Sequence, residues 1–186
     1  MPCPNAFIYY SVVRDILSRW FPGVQVDLGF SMEGKQVLFD GQYYPAVGSE
    51  VSEFLARFSE FKRVNGVKWL GDCYDCEDFS QLASALFSVW FKKNAMWKAR
   101  GLLRVIYPDG RIDEDNHGFN TLLACVEAVG TRRISYEECV LNPWSYVVPL
   151  IFEPQIDYFL PPWDPRLRLT DGTVIEWIVK EVQPPG

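Results

Sequence analysis

The feature that constrains this chain most is a regular run of apolar residues that begins shortly after Cys76. Its members recur at intervals of three and four residues, the spacing of one face of an α-helix. They are Phe79, Leu82, Ala83, Leu86, Phe87, Trp90 and Phe91. Asp75 is a candidate N-cap, and Glu77 and Asp78 supply negative charge to the first turn, where the helix dipole favours it. The pattern predicts a helix that begins at Cys76 and ends near Lys92.

The position of Cys76 at the start of this helix makes its thiol a candidate nucleophile. Unpaired backbone N–H groups and the positive end of the helix dipole both favour a thiolate over a thiol there. Cys76 also precedes Phe79 by three residues on the same helix face, and many free cysteines are simply small buried apolar residues. Both interpretations are open at this point.

The length and composition indicate a single globular domain over residues 1–186. Hydrophobic residues make up 48% and aromatic residues 16% of the chain, which is enough for a large core. The five cysteines, at positions 3, 73, 76, 125 and 139, are an odd number in a chain of ordinary domain size. This count disfavours a secreted disulfide framework and indicates at least one free thiol.

The charge and the apolar pattern bear on partners and location. A net charge of −6 and a pI near 4.9 argue against a nucleic-acid partner, because surfaces that bind nucleic acid are basic. No apolar run is long enough to suggest a membrane partner, and the start Met1-Pro2-Cys3-Pro4 lacks the pattern of a signal peptide. We therefore expect a cytoplasmic protein.

Two further helices are predicted in the first half of the chain. Apolar spacing indicates one over Ala6–Trp20, with Asn5 as its candidate cap, and another from Gly48 to about Val64. The segments 24–30 and 36–46 alternate loosely between apolar and polar residues and predict two or three short strands.

The second half has the pattern of a series of neighbouring strands. The predicted strands are 102–107, 121–129, 146–152, 167–170 and 173–179. Asp171-Gly172 predicts a hairpin turn, and Pro149 indicates a strand edge or a bulge, because proline cannot donate to a strand ladder. Residues 113–116 and 157–166 are predicted as loops. Helices followed by sequence-adjacent strands predict an α+β fold with an antiparallel sheet.

His117 and Glu153 are the residues that this fold is expected to bring to Cys76. His117 is the only histidine in the chain, and it is predicted to open a strand directly after a polar loop. A histidine in contact with Cys76 can take the thiol proton and later protonate a leaving amine. That role requires a third group to orient the imidazole, and Glu153, at the end of the next long apolar strand, can supply it.

Three motifs resemble those of the bacterial and phage transglutaminase-like cysteine proteinases, which belong to the papain-like superfamily. They are Gly-Asp-Cys-Tyr-Asp-Cys-Glu-Asp-Phe-Ser around Cys76, His-Gly-Phe-Asn at His117, and Ile-Phe-Glu-Pro-Gln at Glu153. The resemblance covers about residues 69–155 and leaves 156–186 as a C-terminal loop and β-hairpin. The chain departs from the family pattern in having a glutamate at 153, where aspartate is more usual, and Ser80 in place of an alanine.

The resemblance implies a papain-like α+β fold in which N-terminal helices, the nucleophile helix among them, pack on an antiparallel sheet. It also implies that Cys76 is the nucleophile, His117 the general base and acid, and Glu153 the orienting acid. A phage origin would place the protein in the virion or the host cytoplasm.

The oxyanion hole and the cleft have several candidate residues. The backbone N–H of Cys76 would be one oxyanion donor. The second could be the indole of Trp69, a backbone amide near Asp72, or Gln155, and the sequence does not choose among them. Trp69 and Tyr74 could also line the substrate cleft, although each could equally belong to the core.

The same cysteines allow other interpretations. Cys73 and Cys76 could bind zinc together with Cys125, Cys139 or His117, or they could form a thioredoxin-like redox pair. A third alternative is a catalytically silent structural or interaction protein on the same fold.

The motifs favour a thiol hydrolase or acyltransferase that acts on amide or isopeptide bonds of a peptide or protein substrate. It would form an acyl-enzyme at Cys76 and need no metal or cofactor. A thiolate–imidazolium pair would make Cys76 alkylate quickly near pH 6, where an ordinary thiol with a pKa of about 8.5 is almost inert.

Overall fold

The computed structural model describes residues 6–27, 30–32, 35–37, 42–68 and 75–183. These residues contain five helices. They are α1 (Tyr10–Trp20), α2 (Gly48–Asn65), α3 (Cys76–Phe91), α4 (Tyr136–Leu141) and α5 (Pro143–Tyr146).

The strands of the described residues build one large sheet and three small antiparallel pairs. They are β1 (Ile8–Tyr9), β2 (Gln25–Val26), β3 (Phe30–Met32), β4 (Lys35–Val37), β5 (Gln42–Tyr43), β6 (Met96–Ile106), β7 (Ile112–Cys125), β8 (Ala128–Val129), β9 (Arg132–Arg133), β10 (Val147–Glu153), β11 (Tyr158–Leu160), β12 (Arg166–Arg168) and β13 (Val174–Gln183). The large sheet has seven strands in the order β11-β10-β7-β6-β13-β12, with β2 parallel to β13 and every other pair antiparallel. The predicted α+β class with an antiparallel sheet is therefore confirmed.

Helix α3 begins at Cys76, as predicted. The carboxylate of Asp75 accepts hydrogen bonds from the backbone N–H groups of Glu77 and Asp78, and the Asp78 carboxylate accepts one from the Asp75 N–H. This reciprocal cap satisfies donors that would otherwise have no partner in the first turn. The helix ends at Phe91, and Lys92 takes the left-handed conformation with φ of 55°.

The start of α1 differs from the prediction. The helix begins at Tyr10 rather than Ala6, because Ile8 and Tyr9 pair with β5 as a short strand. The candidate cap Asn5 lies outside the described residues. Helix α2 matches its prediction closely and ends before Gly66, whose φ is 65°.

The loop predicted at 113–116 is wrong, because these residues belong to β7. They pair with β6 in continuous register, for example Val105 with Asp113, and Arg104 binds Glu114 across the two strands. Cross-strand pairing of this kind stabilises polar residues in an exposed strand. His117 consequently lies inside β7 and does not open a strand.

Two proline-rich regions of the second half have mixed outcomes. The predicted loop 157–166 contains β11, which pairs with the end of β10. That pairing reaches only Ile151–Glu153, so β10 has a free edge at Pro149, in agreement with the edge predicted there. The hairpin at Asp171-Gly172 is confirmed between β12 and β13.

Cys125 and Cys139 form a disulfide that joins the end of β7 to α4. The odd cysteine count disfavours a secreted disulfide framework, but it does not indicate which two sulfurs the fold brings together. The bridge spans a sequence separation of 14, for which loop closure contributes about 3 kcal/mol to stability. Disulfides persist mainly in oxidising compartments, so this bridge weighs against the predicted cytoplasmic location, which stays a prediction.

None of the helices within the described residues is both long and apolar enough to cross a membrane.

Ser80 attaches α3 to β7. Its hydroxyl donates to the carbonyl of Phe119 at 2.6 Å, and the Asn120 side-chain amide donates to the carbonyl of Ser80 at 2.9 Å. Ser80 and Asn120 are both buried. These bonds fix the first turns of α3, and with them Cys76, against the strand that carries His117.

We expect Ser80→Ala to lower the free energy of unfolding by about 1 kcal/mol, because it leaves a buried carbonyl without its hydroxyl donor. Ser84→Ala is the matched control, since Ser84 is equally buried but donates only to Gln81 within its own helix. Urea unfolding of both variants measures the difference. Equal effects would contradict the role of Ser80 as an attachment between helix and sheet.

Candidate functional site

The thiol of Cys76 lies against the edge of β7. The backbone N–H of Gly118 donates to Cys76 Sγ at 3.2 Å. Strand β10 pairs with β7 only as far as Phe152 and Asn120, so the edge of β7 at Gly118 is open to the start of α3. A Cβ on Gly118 would lie 3.2 Å from the carbonyl of Cys76, so a side chain here would push the start of α3 away by a few tenths of an ångström.

His117 and Glu153 are in direct contact. The Nε2 atom of His117 lies 2.7 Å from Oε2 of Glu153, and both side chains are largely buried, with 11% and 4% of their surface exposed. Glu153 is the last residue of β10, and His117 lies on the neighbouring strand β7. The two residues predicted as base and orienting acid are therefore brought together.

The Glu153 carboxylate receives two further hydrogen bonds. The indole Nε1–H of Trp177 donates to Oε2 at 2.8 Å, and the backbone N–H of Gln155 donates to Oε1 at 3.1 Å. No local motif marks the Trp177 contact, because Trp177 lies on the distant strand β13. The sequence shows only that Trp177 lies within the predicted strand 173–179, which does not indicate a contact with Glu153.

Cys76 and His117 are adjacent, but their side chains are not hydrogen-bonded. The N–H that binds the sulfur belongs to the peptide between His117 and Gly118. No hydrogen bond within the described residues joins Sγ to the imidazole; such bonds commonly tighten only when substrate binds. Because a carboxylate only accepts hydrogen bonds, Nε2 of His117 carries the hydrogen, and Nδ1 is the nitrogen left to accept a proton.

The environment of Cys76 favours the thiol rather than the thiolate. Burial is the largest effect and raises the pKa of Cys76, and the negative charges of Asp75 and Glu77 raise it further. The Gly118 N–H opposes them and lowers the pKa. The expectation of a resting thiolate, and of fast alkylation at pH 6, is therefore revised: desolvation and two nearby acids outweigh the favourable amides of the helix start.

A cavity of about 470 Å³ opens beside the thiol. Its lining residues are Cys76, Glu77, Arg100, Gly101, Leu102, Asn116, His117, Gly118, Lys180 and Glu181. Arg100 and Glu77 form an ion pair of 2.9 Å in which both side chains are about half exposed. The cavity thus presents both signs of charge next to Cys76 and His117.

The predicted oxyanion and cleft residues have separate outcomes. Trp69, Asp72 and Tyr74 lie outside the described residues, as does Cys73. Gln155 does not line the cavity; its backbone N–H is bound to Glu153, so it acts on the acid rather than at the thiol.

Two of the ligands proposed to complete a zinc site with Cys73 and Cys76 are not available. Cys125 and Cys139 are bonded to each other, which leaves neither sulfur free to bind a metal with Cys76. His117 points its Nε2 at Glu153.

Comparison with known proteins gives no relative for this chain: no family model, no curated protein and no solved structure matches it. The resemblance to transglutaminase-like cysteine proteinases therefore stays a prediction from the three motifs.

We expect Glu77→Gln to shift the alkylation curve of Cys76 to lower pH. The Glu77 charge raises the pKa of Cys76, so its removal lowers that pKa and increases the thiolate fraction at any pH below it. Because Glu77 is exposed, we expect iodoacetamide labelling to be only about twofold to threefold faster near pH 8, and less at high salt.

Glu60→Gln is the matched control for this change. Glu60 also forms an exposed ion pair, with Arg63 on α2, but it does not line the cavity. Peptide mass spectrometry of the labelled protein gives the rate at Cys76. A curve that does not move, or moves equally in both variants, would contradict the local effect of Glu77.

Proposed function

We propose that this protein is a thiol hydrolase or acyltransferase that acts on amide or isopeptide bonds of a peptide or protein substrate. Cys76 is the nucleophile, His117 the general base and acid, and Glu153 the orienting acid. One observation carries the proposal: Glu153 binds the imidazole of His117, and the peptide that follows His117 binds the Cys76 thiol. A nucleophile, a base and an orienting group thus lie next to one another beside a cavity.

The fold supports the same proposal. The nucleophile begins a helix, and the histidine and the acid follow on two neighbouring antiparallel strands, α3, β7 and β10 in chain order. This arrangement is what the resemblance to the papain-like, transglutaminase-like enzymes implies. We therefore include that fold in the proposal, with no cofactor required.

In the first half of the reaction, Nδ1 of His117 takes the proton of the Cys76 thiol while Sγ attacks the substrate carbonyl carbon. The carbonyl oxygen becomes an oxyanion, which the backbone N–H of Cys76 can stabilise. The tetrahedral intermediate then breaks its carbon–nitrogen bond, and the protonated His117 gives its proton to the departing amine. The products are a free amine and a thioester at Cys76.

In the second half, a water molecule or an acceptor amine attacks the thioester carbon. His117 takes a proton from the attacking group and returns one to the Cys76 sulfur as it leaves. Water gives hydrolysis and an amine gives transfer. Hydrolysis is favoured, since water always has access to an open cavity of this kind.

The raised pKa of Cys76 decides how the thiol is activated. A thiol that is protonated at rest must lose its proton during the attack, so catalysis depends on His117 acting as a base rather than on a preformed ion pair. Glu153 fixes Nε2–H of His117 and so keeps Nδ1 free for that proton. The activity should therefore depend strongly on His117, whereas an ordinary exposed thiol reacts without the help of a base.

A catalytically silent binding protein is the second candidate. The observation that favours it is the lack of a hydrogen bond between Cys76 and His117 within the described residues, together with the raised pKa of the thiol. The two candidates differ in whether Cys76 can be acylated with the help of His117.

The experiment is acylation by p-nitrophenyl acetate, followed by nitrophenolate release and by peptide mass spectrometry. We expect the acetyl group on Cys76 in the parent protein, a loss of rate of about a hundredfold or more in His117→Ala, and a loss of about tenfold in Glu153→Gln. Asp115→Asn, two residues before His117 on the same strand, is the control and should keep the parent rate. Acetylation elsewhere, or an unchanged rate in His117→Ala, would leave the silent binding protein as the better account.

A further inference from the structure

Trp177 reaches the proposed catalytic site from a distant strand. It lies on β13, which is separated from β7 by β6, yet its Nε1–H donates to Oε2 of Glu153 at 2.8 Å. That oxygen is the one that Nε2 of His117 contacts at 2.7 Å. Trp177 is 3% exposed, so its hydrogen bond is shielded from water.

The register of the sheet explains how the indole reaches Glu153. His117 pairs with Gly101, and Gly101 pairs with Val179, so these three positions share one face of the sheet. Trp177 lies two residues before Val179 and therefore shares this face with His117. A Cβ on Gly101, which lies on β6 between the two strands, would be 1.8 Å from the carbonyl oxygen of Ile178, so the glycine lets the backbone of β13 approach closely here.

We propose that Trp177 is a positioning residue of this site, whose indole N–H fixes the Glu153 carboxylate toward His117. The inference rests on the proposed function and adds a residue to it. Oε1 is held by the Gln155 N–H and Oε2 by the Trp177 N–H, so both carboxylate oxygens are tied and the plane of the carboxylate is set.

The length of the Glu153 side chain explains why a hydrogen bond from Trp177 would matter. A glutamate has one more rotatable bond than an aspartate, so its carboxylate can swing further from a histidine on the next strand. A second donor on the same oxygen restricts that movement. The indole bond thus offsets the longer side chain by which this chain departs from the usual aspartate.

A purely structural role for the indole bond is the alternative, since a buried tryptophan N–H usually finds an acceptor. Trp97, on β6, is a second fully buried tryptophan of the same sheet, and its indole N–H lacks such an acceptor among the described residues. The pairing of Trp177 with the acid is therefore not a general requirement for burying an indole here.

The test compares Trp177→Phe with Trp97→Phe, since each removes one buried indole N–H and keeps an aromatic ring. The readouts are the rate of Cys76 acylation by p-nitrophenyl acetate and the stability to urea. We expect Trp177→Phe to lose about tenfold in acylation rate and Trp97→Phe to keep the parent rate, although it removes the same volume from the buried core.

A double variant separates positioning from general damage. If Trp177 acts through Glu153, then Trp177→Phe should cause almost no further loss of acylation rate in a Glu153→Ala background. Should Trp177→Phe fail to fold, benzothienylalanine at position 177 replaces the N–H by sulfur in a ring of the same shape, and the same tenfold loss is expected.

The outcomes distinguish the two proposals. A parent rate in the Trp177 variant, or an equal loss with and without Glu153, would overturn the role of Trp177 while leaving the triad intact. A parent protein that is not acylated at Cys76, or whose acylation does not depend on His117, would overturn the proposed function itself, before any tryptophan variant is compared.

Discussion

The close contact between the start of α3 and the open edge of β7 is the constraint on which the rest of this structure depends. Strand β10 stops at Glu153, and the edge that it leaves free on β7 is filled by Cys76, whose sulfur accepts the Gly118 N–H. Because β10 ends here, Glu153 lies beside His117, and the edge of β7 is left open for the Cys76 thiol. Ser80 holds the helix in this place through its hydrogen bond to the carbonyl of Phe119 on the strand.

The acidic start of α3 and the burial of Cys76 both favour a thiol over a thiolate at this position. The acidic cap that builds the start of α3 also raises the pKa of the thiol that this helix carries. The acidic residues Asp75 and Glu77, which mark the start of α3 in the sequence, therefore also disfavour ionisation of Cys76. The capping of α3 and the ionisation of Cys76 make opposite demands on Asp75 and Glu77, because the negative charges that stabilise the helix start also disfavour a thiolate.

The sequence predicted those parts of the structure that depend on local patterns. The start of α3 at Cys76, the end of α2 and the hairpin at Asp171-Gly172 each follow from neighbouring residues, and each is confirmed. The contact of His117 with Glu153 was predicted from the order of the strands. The position of His117 within β7, the contact of Trp177 with Glu153 and the Cys125–Cys139 bridge depend on pairing between distant segments, which no local pattern records.

The cysteines at β7 differ in the redox conditions that preserve them. The end of β7 is joined to α4 by a disulfide, whereas the Cys76 sulfur that accepts the Gly118 N–H is a free thiol. A strong dithiol reductant protects the second at the expense of the first, and an oxidant protects the first while converting the second to a sulfenic acid. Reducing and oxidising conditions therefore act in opposite directions on the two sulfur sites at this strand.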